Sequence, residues 1–256
     1  MKKEIVSVFV VFVLAFSASG QFVGEGGPRP TQTTSTSQVN FTFKFGRALP
    51  TGEFKTLPAR TANPQFASGV MGAKNGMFIE AGLSMNFNGT DNPVGFYYYP
   101  LVVSYMQTPL DWSGLGGFFS NKAVYTKPFA LLDIGQRYGV VVRPVTNLSF
   151  AVYYRPAFIL PFNFEVVHES TANGESFLFS GEIGSSGAAP VFMMSHTAGL
   201  EIRYNLVSVA LELYSARPTF DVQYRDLDTN PVMAVDQTST VKIPVKLMLL
   251  SLAVHL

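Results

Sequence analysis

The 256-residue chain has no cysteine and few charges, and no apolar run in it is long enough for a helical membrane span. Without cysteine there is no disulfide, no thiolate metal site and no lipid-modified N-terminal Cys. Charged residues make up only 14% of the sequence and the formal net charge is +1, which argues against a nucleic acid as partner. Aromatic residues are abundant instead, with 23 Phe and 11 Tyr. This composition is typical of a protein whose strands face lipid.

The N-terminal segment has the order of features found in an export signal. A basic start and an apolar run over 5–16 precede a short stretch of small residues. The run is shorter than the roughly 20 residues that a membrane-spanning helix needs. Residues 1–20 are therefore predicted to be a signal peptide, cleaved between Gly20 and Gln21. Residues 21–37, rich in Gly, Pro, Thr and Ser, are predicted to be a flexible leader.

Alternating apolar and polar segments of about ten residues recur through the rest of the chain, the length of a tilted membrane-spanning strand. In the second of them, Met77 and Ile79 alternate with Glu80 and Gly82. We therefore expect an all-β domain over 38–256. Eight strands are predicted, at 39–48, 77–87, 94–106, 124–142, 148–160, 197–204, 207–213 and 241–256.

The connections between these segments alternate in length. Long ones follow strands one, three, five and seven, at 49–76, 107–122, 161–195 and 217–239, whereas the other three are short. Short periplasmic turns and longer external loops are typical of outer-membrane barrels. The chain also ends on a strand, as expected where the last strand pairs with the first. The pattern predicts a monomeric, eight-stranded, antiparallel, up-and-down transmembrane β-barrel.

The polar faces of the strands carry the residues predicted to fill the barrel. If the apolar faces point outward, four positive and four negative side chains enter a lumen that is only wide enough for side chains. We expect them to form a packed ion-pair network rather than an ion path. A secreted, soluble, lipocalin-like barrel is the alternative fold, with its apolar face inward. The predicted lumen residues are Lys44, Glu80, Asp133, Arg137, Arg155, Glu201, Arg203 and Glu212.

Aromatic residues cluster where a membrane boundary is expected. Tyr97, Tyr98 and Tyr99 are predicted to form a girdle at the periplasmic rim. Trp112, in the second long loop, is predicted to be an interfacial aromatic anchor, with an exposed recognition patch as the alternative.

The sequence offers little support for catalysis or metal binding. His168 and His196 would lie at the outer rim, but adjacent residues of a strand point to opposite faces, so Ser195 and His196 would not form a catalytic pair. Residues 226–230 begin like a calcium loop but lack its glycine and distal glutamate. No catalytic residue, metal site or cofactor is predicted.

A short sequence pattern at the end of the first predicted strand indicates a resemblance to a known family. Residues 46–54, GRALPTGEF, read G-x-x-x-P-x-G-x-F. With the signal ending before Gln21 and the strand at the C-terminus, the chain resembles the small, Bacteroidetes-type outer-membrane β-barrel domain family of Gram-negative bacteria. The resemblance spans about 38–256 and implies the cell outer membrane as location, with its lipid and the barrel insertion machinery as partners. Such barrels often end in Phe, whereas this chain ends in His255 and Leu256.

The function expected from these features is non-enzymatic. The protein is predicted to have a structural or surface-recognition role through its long extracellular loops, with an envelope or extracellular partner that the sequence does not identify. Two alternatives remain open. One is a small-solute pore, and the other is a lipid- or peptide-modifying enzyme with its site at the rim.

Overall fold

The structure is a computed structural model that describes residues 38–56, 72–86, 93–111, 123–145, 147–169, 176–183, 193–226 and 237–256. The predicted signal peptide, its cleavage point and the leader lie outside the described residues. So do Trp112 and the segment 227–236, which holds most of the calcium-like stretch. In the part of the chain that is described, no helix has the length and apolar character needed to cross a membrane.

The described residues form strands and one short helix. A 3₁₀ helix, Gly52–Phe54, follows the first strand. The strands are β1 (Gln38–Pro50), β2 (Gly76–Asn86), β3 (Val94–Thr108), β4 (Ala123–Lys127), β5 (Phe129–Val145), β6 (Leu148–Phe162), β7 (Phe164–Glu169), β8 (Ser176–Glu182), β9 (Met194–Tyr204), β10 (Val207–Ala216), β11 (Thr219–Asp226), β12 (Gln237–Lys242) and β13 (Val245–His255).

Eight of these strands form a closed antiparallel barrel in the order β1-β13-β10-β9-β6-β5-β3-β2. Strands that follow one another in the barrel sequence are neighbours, and β13 closes the barrel by pairing with β1, for example Lys44 with Ala253. The predicted all-β class and the eight-stranded antiparallel barrel are confirmed. The first strand is longer than predicted, since β1 also includes Gln38, Leu49 and Pro50.

The apolar face of each barrel strand points outward and the polar face inward. In β6, Val152 is 61% exposed and Leu160 is exposed as well, whereas Arg155 between them is fully buried. Strand residues alternate between the two faces of a sheet, so the period-two pattern of the sequence fixes which side chains share a face. The barrel therefore has an apolar outer surface and a largely polar lumen.

A second sheet corrects the prediction of long loops at 161–195 and 217–239, because parts of both segments are strands. Five strands pair in the order β12-β11-β8-β7-β4, and we call this sheet the wall. Each wall strand is the chain neighbour of a barrel strand, namely β13, β10, β9, β6 and β5, and the order is the same in both sheets. The wall therefore continues one side of the barrel at its long-loop end.

Prolines explain why the wall is a separate sheet. Pro128, Pro218 and Pro244 lie between a wall strand and its barrel strand. Proline has no N–H to donate to a ladder, so pairing is interrupted at these positions. At the break between β6 and β7, the side-chain oxygen Oδ1 of Asn163 accepts a hydrogen bond from the backbone N–H of Ile183 at 3.1 Å. The predicted fourth and eighth strands are each divided by such a break.

An apolar cluster fills the long-loop end of the lumen and joins it to the wall. Phe54 of the 3₁₀ helix contacts Phe129 of β5 with ring centroids 5.1 Å apart. Phe164 and Phe220, from two wall strands, lie 5.8 and 5.6 Å from the ring of Phe129. All four rings are buried. Burial of this cluster stabilises the wall against the barrel.

The opposite end of the barrel carries the short turns, as predicted. Tyr204 pairs with Val207 across a two-residue connection. Asn205 in this connection has φ of 53°, a left-handed conformation that asparagine adopts more readily than most residues. We call this the short-turn end.

Candidate functional site

A buried lysine stands at the centre of the lumen. Lys44 of β1 is fully buried, and its Nζ lies 3.2 Å from Oε1 of Glu212 and 3.3 Å from Oε2 of Glu201. A third carboxylate, Glu80, lies 3.8 Å away. The Nζ group also donates a hydrogen bond to the hydroxyl of Tyr153 at 3.0 Å. One cation thus joins carboxylates from three strands across the barrel.

Two arginines extend this network. Arg137 pairs with Glu80 in a short hydrogen bond, and Nη1 of Arg155 lies 3.2 Å from the other oxygen of Glu80. Arg155 also donates hydrogen bonds to Ser104 at 2.6 Å and to Thr197 at 3.1 Å. Charged groups taken out of water are tolerated when they are paired and hydrogen-bonded in this way.

Asp133 marks the boundary between the ionic network and the apolar cluster. Its Oδ2 lies 4.0 Å from Nη2 of Arg155 and accepts a hydrogen bond from Ser195 at 2.8 Å. Its Oδ1 accepts one from Tyr214 at 3.3 Å. Ser195 therefore acts as a partner of a buried carboxylate.

Seven of the eight predicted lumen residues meet in this network, and Arg203 does not. Arg203 lies half-buried at the short-turn end, where its Nε donates a hydrogen bond to the backbone oxygen of Asn205 at 2.7 Å. Arg203 is the next residue after Glu201 on the inner face of β9. It lies beside the turn, at the end of the barrel, and is therefore separated from the network. The network therefore holds three permanent cations and four carboxylates.

The tyrosines predicted to form a girdle are divided between two faces. Tyr97 and Tyr99 point inward and are buried, and only Tyr98 points outward, where its ring stacks on Tyr138 at 5.2 Å. The girdle prediction was wrong for Tyr97 and Tyr99 because neighbouring strand residues cannot share a face. The guanidinium of Arg137 lies 4.9 Å from the ring centre of Tyr99, so the inner tyrosines belong to the lumen.

Glycines on neighbouring strands make room for two inward tyrosines. A Cβ added to Gly139 would lie 2.4 Å from the ring of Tyr97, and one added to Gly199 would lie 2.4 Å from the ring of Tyr153. Each tyrosine is the cross-strand partner of its glycine. The aromatic ring covers the glycine and fills the space that a side chain would take. Sequence reasoning missed Tyr153 as a lumen residue, although its alternation with Arg155 indicated the same face.

The last histidine of the chain links the network to the short-turn end. The Nε2 atom of His255 lies 3.1 Å from Oε1 of Glu201 and 2.9 Å from the hydroxyl of Ser208. Its Nδ1 lies 3.1 Å from the hydroxyl of Thr42. His255 is buried, so its ring forms part of the lumen lining.

A cavity of about 170 Å³ lies between His255 and the short turns. Tyr97, Tyr99, Glu201 and His255 are buried and form its floor. The turn residues on its rim are exposed, so the cavity opens toward the short-turn end. We call it the mouth cavity. Its other lining residues are Asn40, Ser84, Val141, Arg143, Asn147, Leu148, Ser149, Ala151, Arg203 and Asn205.

Ser195 and His196 lie on opposite faces of β9 and do not form a pair. His196 is exposed on the outer face and lies 2.5 Å from the hydroxyl of Tyr154, whereas Ser195 is buried in the lumen. The side chain of His168 lies outside the described residues. Among the side chains that are described, His, Asp and Glu form no group suited to hold a metal ion.

No family model matches the chain, and the search of curated proteins finds no match. The functional proposal therefore depends on the geometry of the barrel itself.

Proposed function

We propose that the chain is an integral outer-membrane β-barrel protein that is closed to solutes and has a structural or surface-recognition role. The observation that carries this proposal is the distribution of polarity. Apolar side chains cover the outside of the barrel, and the permanent charges of its interior are paired. An apolar exterior is stable in hydrocarbon, where a closed barrel leaves no unpaired strand edge.

The dimensions of the apolar surface fit a bilayer. On β6, exposed apolar residues extend from Phe150 to Phe162. This stretch is roughly 40 Å long at the usual rise of a strand. At a tilt of about 40°, it spans roughly 30 Å along the barrel axis, which is the usual thickness of the hydrocarbon core.

A soluble ligand-binding barrel explains the same surface poorly. Such a barrel would place its apolar face around the ligand and its polar face in water. Here Leu213 is 65% exposed, whereas Glu80 and Arg155 are buried. A continuous apolar surface of this kind promotes aggregation in water. The polarity therefore favours lipid over water as the surroundings.

The filled lumen argues against a pore. The ion-pair network around Lys44 occupies its middle, and the apolar cluster around Phe129 occupies its long-loop end. Eight strands enclose a space that side chains alone can fill. The working surface we propose is instead the wall, which continues the barrel at the end predicted to be extracellular.

Cell fractionation and gel migration test the proposal together. The protein should be recovered with outer membranes, and its gel mobility should change on boiling because a closed barrel resists detergent until it is heated. Recovery from the soluble periplasmic fraction would refute the membrane location. A measurable single-channel conductance in planar bilayers would refute the closed lumen and favour the pore.

A further inference from the structure

The mouth cavity combines two cations with a floor whose carboxylate, Glu201, is already paired. Arg143 from the end of β5 and Arg203 from the end of β9 both line it. Glu201, on its floor, is engaged by Lys44 at 3.3 Å and by His255 at 3.1 Å. The carboxylate is thus already engaged by two partners, while the two arginines lie at the strand ends beside the turns. The cavity therefore favours a negatively charged group.

The two arginine side chains lie close to the backbone at the short-turn end. The guanidinium of Arg143 lies over Gly95, where a Cβ would come within 2.8 Å of Nη1. The Nε of Arg203 donates a hydrogen bond to the carbonyl of Asn205. This bond does not involve the two terminal nitrogens of the guanidinium. Arg203 is thus anchored through Nε, and the planar donor geometry of an arginine suits the two oxygens of a carboxylate or phosphate.

A buried hydroxyl in the floor adds a third group. Tyr97 is only 8% exposed, and its hydroxyl has no hydrogen-bond partner among the described residues. A buried polar group without a partner is costly, and a group bound in the cavity would supply the missing partner. The ring of Tyr97 is held between Tyr99 and Tyr153, with centroid distances of 5.3 and 6.5 Å.

We propose that the mouth cavity binds a small ligand bearing a carboxylate or phosphate group, with Arg143 and Arg203 on the anion and Tyr97 donating a hydrogen bond. A cavity of about 150 Å³ accommodates a molecule the size of a six-membered ring, so about 170 Å³ admits the head of such a ligand. The site requires the folded barrel but not its location in a membrane. If no ligand binds there, the proposed membrane function is unaffected.

The experiment titrates the folded full-length barrel in detergent with three probes at constant ionic strength. The probes are inorganic phosphate, N-acetylglycine and the uncharged N-acetylglycinamide, and binding is followed by NMR of the arginine Nε–H groups. We expect saturable shifts with phosphate or N-acetylglycine and none with the amide. Whichever anion binds more tightly identifies the preferred class. Absence of saturation with both anions, or equal binding of the amide, would overturn the proposal.

Matched variants separate a built site from general attraction of anions. Arg143→Gln and Arg203→Gln should each weaken binding about tenfold or more, since each removes a charge-assisted hydrogen bond. Tyr97→Phe should weaken it several-fold. Arg47→Gln removes the same charge from an exposed position on the outer face of β1 and should leave binding unchanged. A similar loss in Arg47→Gln would overturn the proposal, and retained heat-modifiable migration shows that each variant is folded.

Discussion

Replacement of Lys44 by methionine tests the central feature of the lumen. Methionine has a similar length but no charge, so the substitution removes the cation and leaves the packing nearly unchanged. In the native barrel, Nζ lies 3.2 Å from Glu212, 3.3 Å from Glu201 and 3.8 Å from Glu80. In the variant, two arginines remain to compensate four buried carboxylates.

The expected loss of stability follows from the carboxylates that stay buried without the lysine. Removing one partner of a buried ion pair lowers the free energy of unfolding by about 3–5 kcal/mol, because an uncompensated charge stays buried. The hydrogen bond from Lys44 to Tyr153 is lost as well. We therefore expect a loss of roughly 3–5 kcal/mol in urea unfolding of the barrel in lipid vesicles, followed by circular dichroism. Lys246→Met, at an exposed position on β13, should leave stability nearly unchanged.

A second substitution distinguishes the ion pair from a loss of packing. Glu212→Gln in the Lys44→Met background removes a carboxylate that has lost its nearer cation and keeps only Arg137, 3.5 Å away, so it should restore part of the stability. Asp133→Asn should not, because Asp133 is paired with Arg155. A loss below about 1 kcal/mol in Lys44→Met, or equal restoration by both second substitutions, would refute the reasoning.

Other consequences concern the outer face, the tyrosine–glycine pairs and the lumen. Leu211→Arg, on the outer face of β10, should lower the free energy of unfolding in vesicles by about 2–4 kcal/mol. Ser215→Arg, nearer the end of the same strand, should lower it by about 0–1 kcal/mol. Equal effects would contradict a lipid-facing belt. Gly199→Ala places a Cβ 2.4 Å from the ring of Tyr153 and should destabilise the barrel by about 1–3 kcal/mol in the same assay. The neighbouring, outward Ala198→Val should have little effect, and a larger loss there than at Gly199 would argue against the inner pair. Purified wild-type protein should show no channel activity in planar bilayers, since its lumen is filled, and steady conductance would contradict this.

Much of the barrel was predictable because its pattern is local. Alternation with period two indicates which residues of a strand share a face, and it placed Lys44 and Glu80 inside. The alternating loop lengths indicated the up-and-down order. Where the same rule was not applied, the prediction failed, as for Tyr97 and Tyr99 in the proposed girdle.

The wall and the position of Arg203 were not predictable in this way. The wall strands lie beyond breaks at Pro128, Pro218 and Pro244, and a proline between two short segments reads as a loop. Only pairing with neighbours from other parts of the chain makes these segments strands. Arg203 has the alternation of a lumen residue, but its distance from the network depends on where the barrel ends.

By itself, the sequence determined the class of fold, the number of barrel strands and which side chains of a strand share a face, because alternate residues of a strand lie on the same side. That the apolar face points outward was decided by the tertiary structure. The tertiary structure decided which charges meet. Lys44 and Glu212 are separated by 168 positions and contact each other across the lumen only when the barrel is closed. The mouth cavity arises in the same way, since β5 and β9 bring Arg143 and Arg203 to one opening from distant parts of the chain. Contacts between residues so far apart depend on register and closure, which no local pattern encodes.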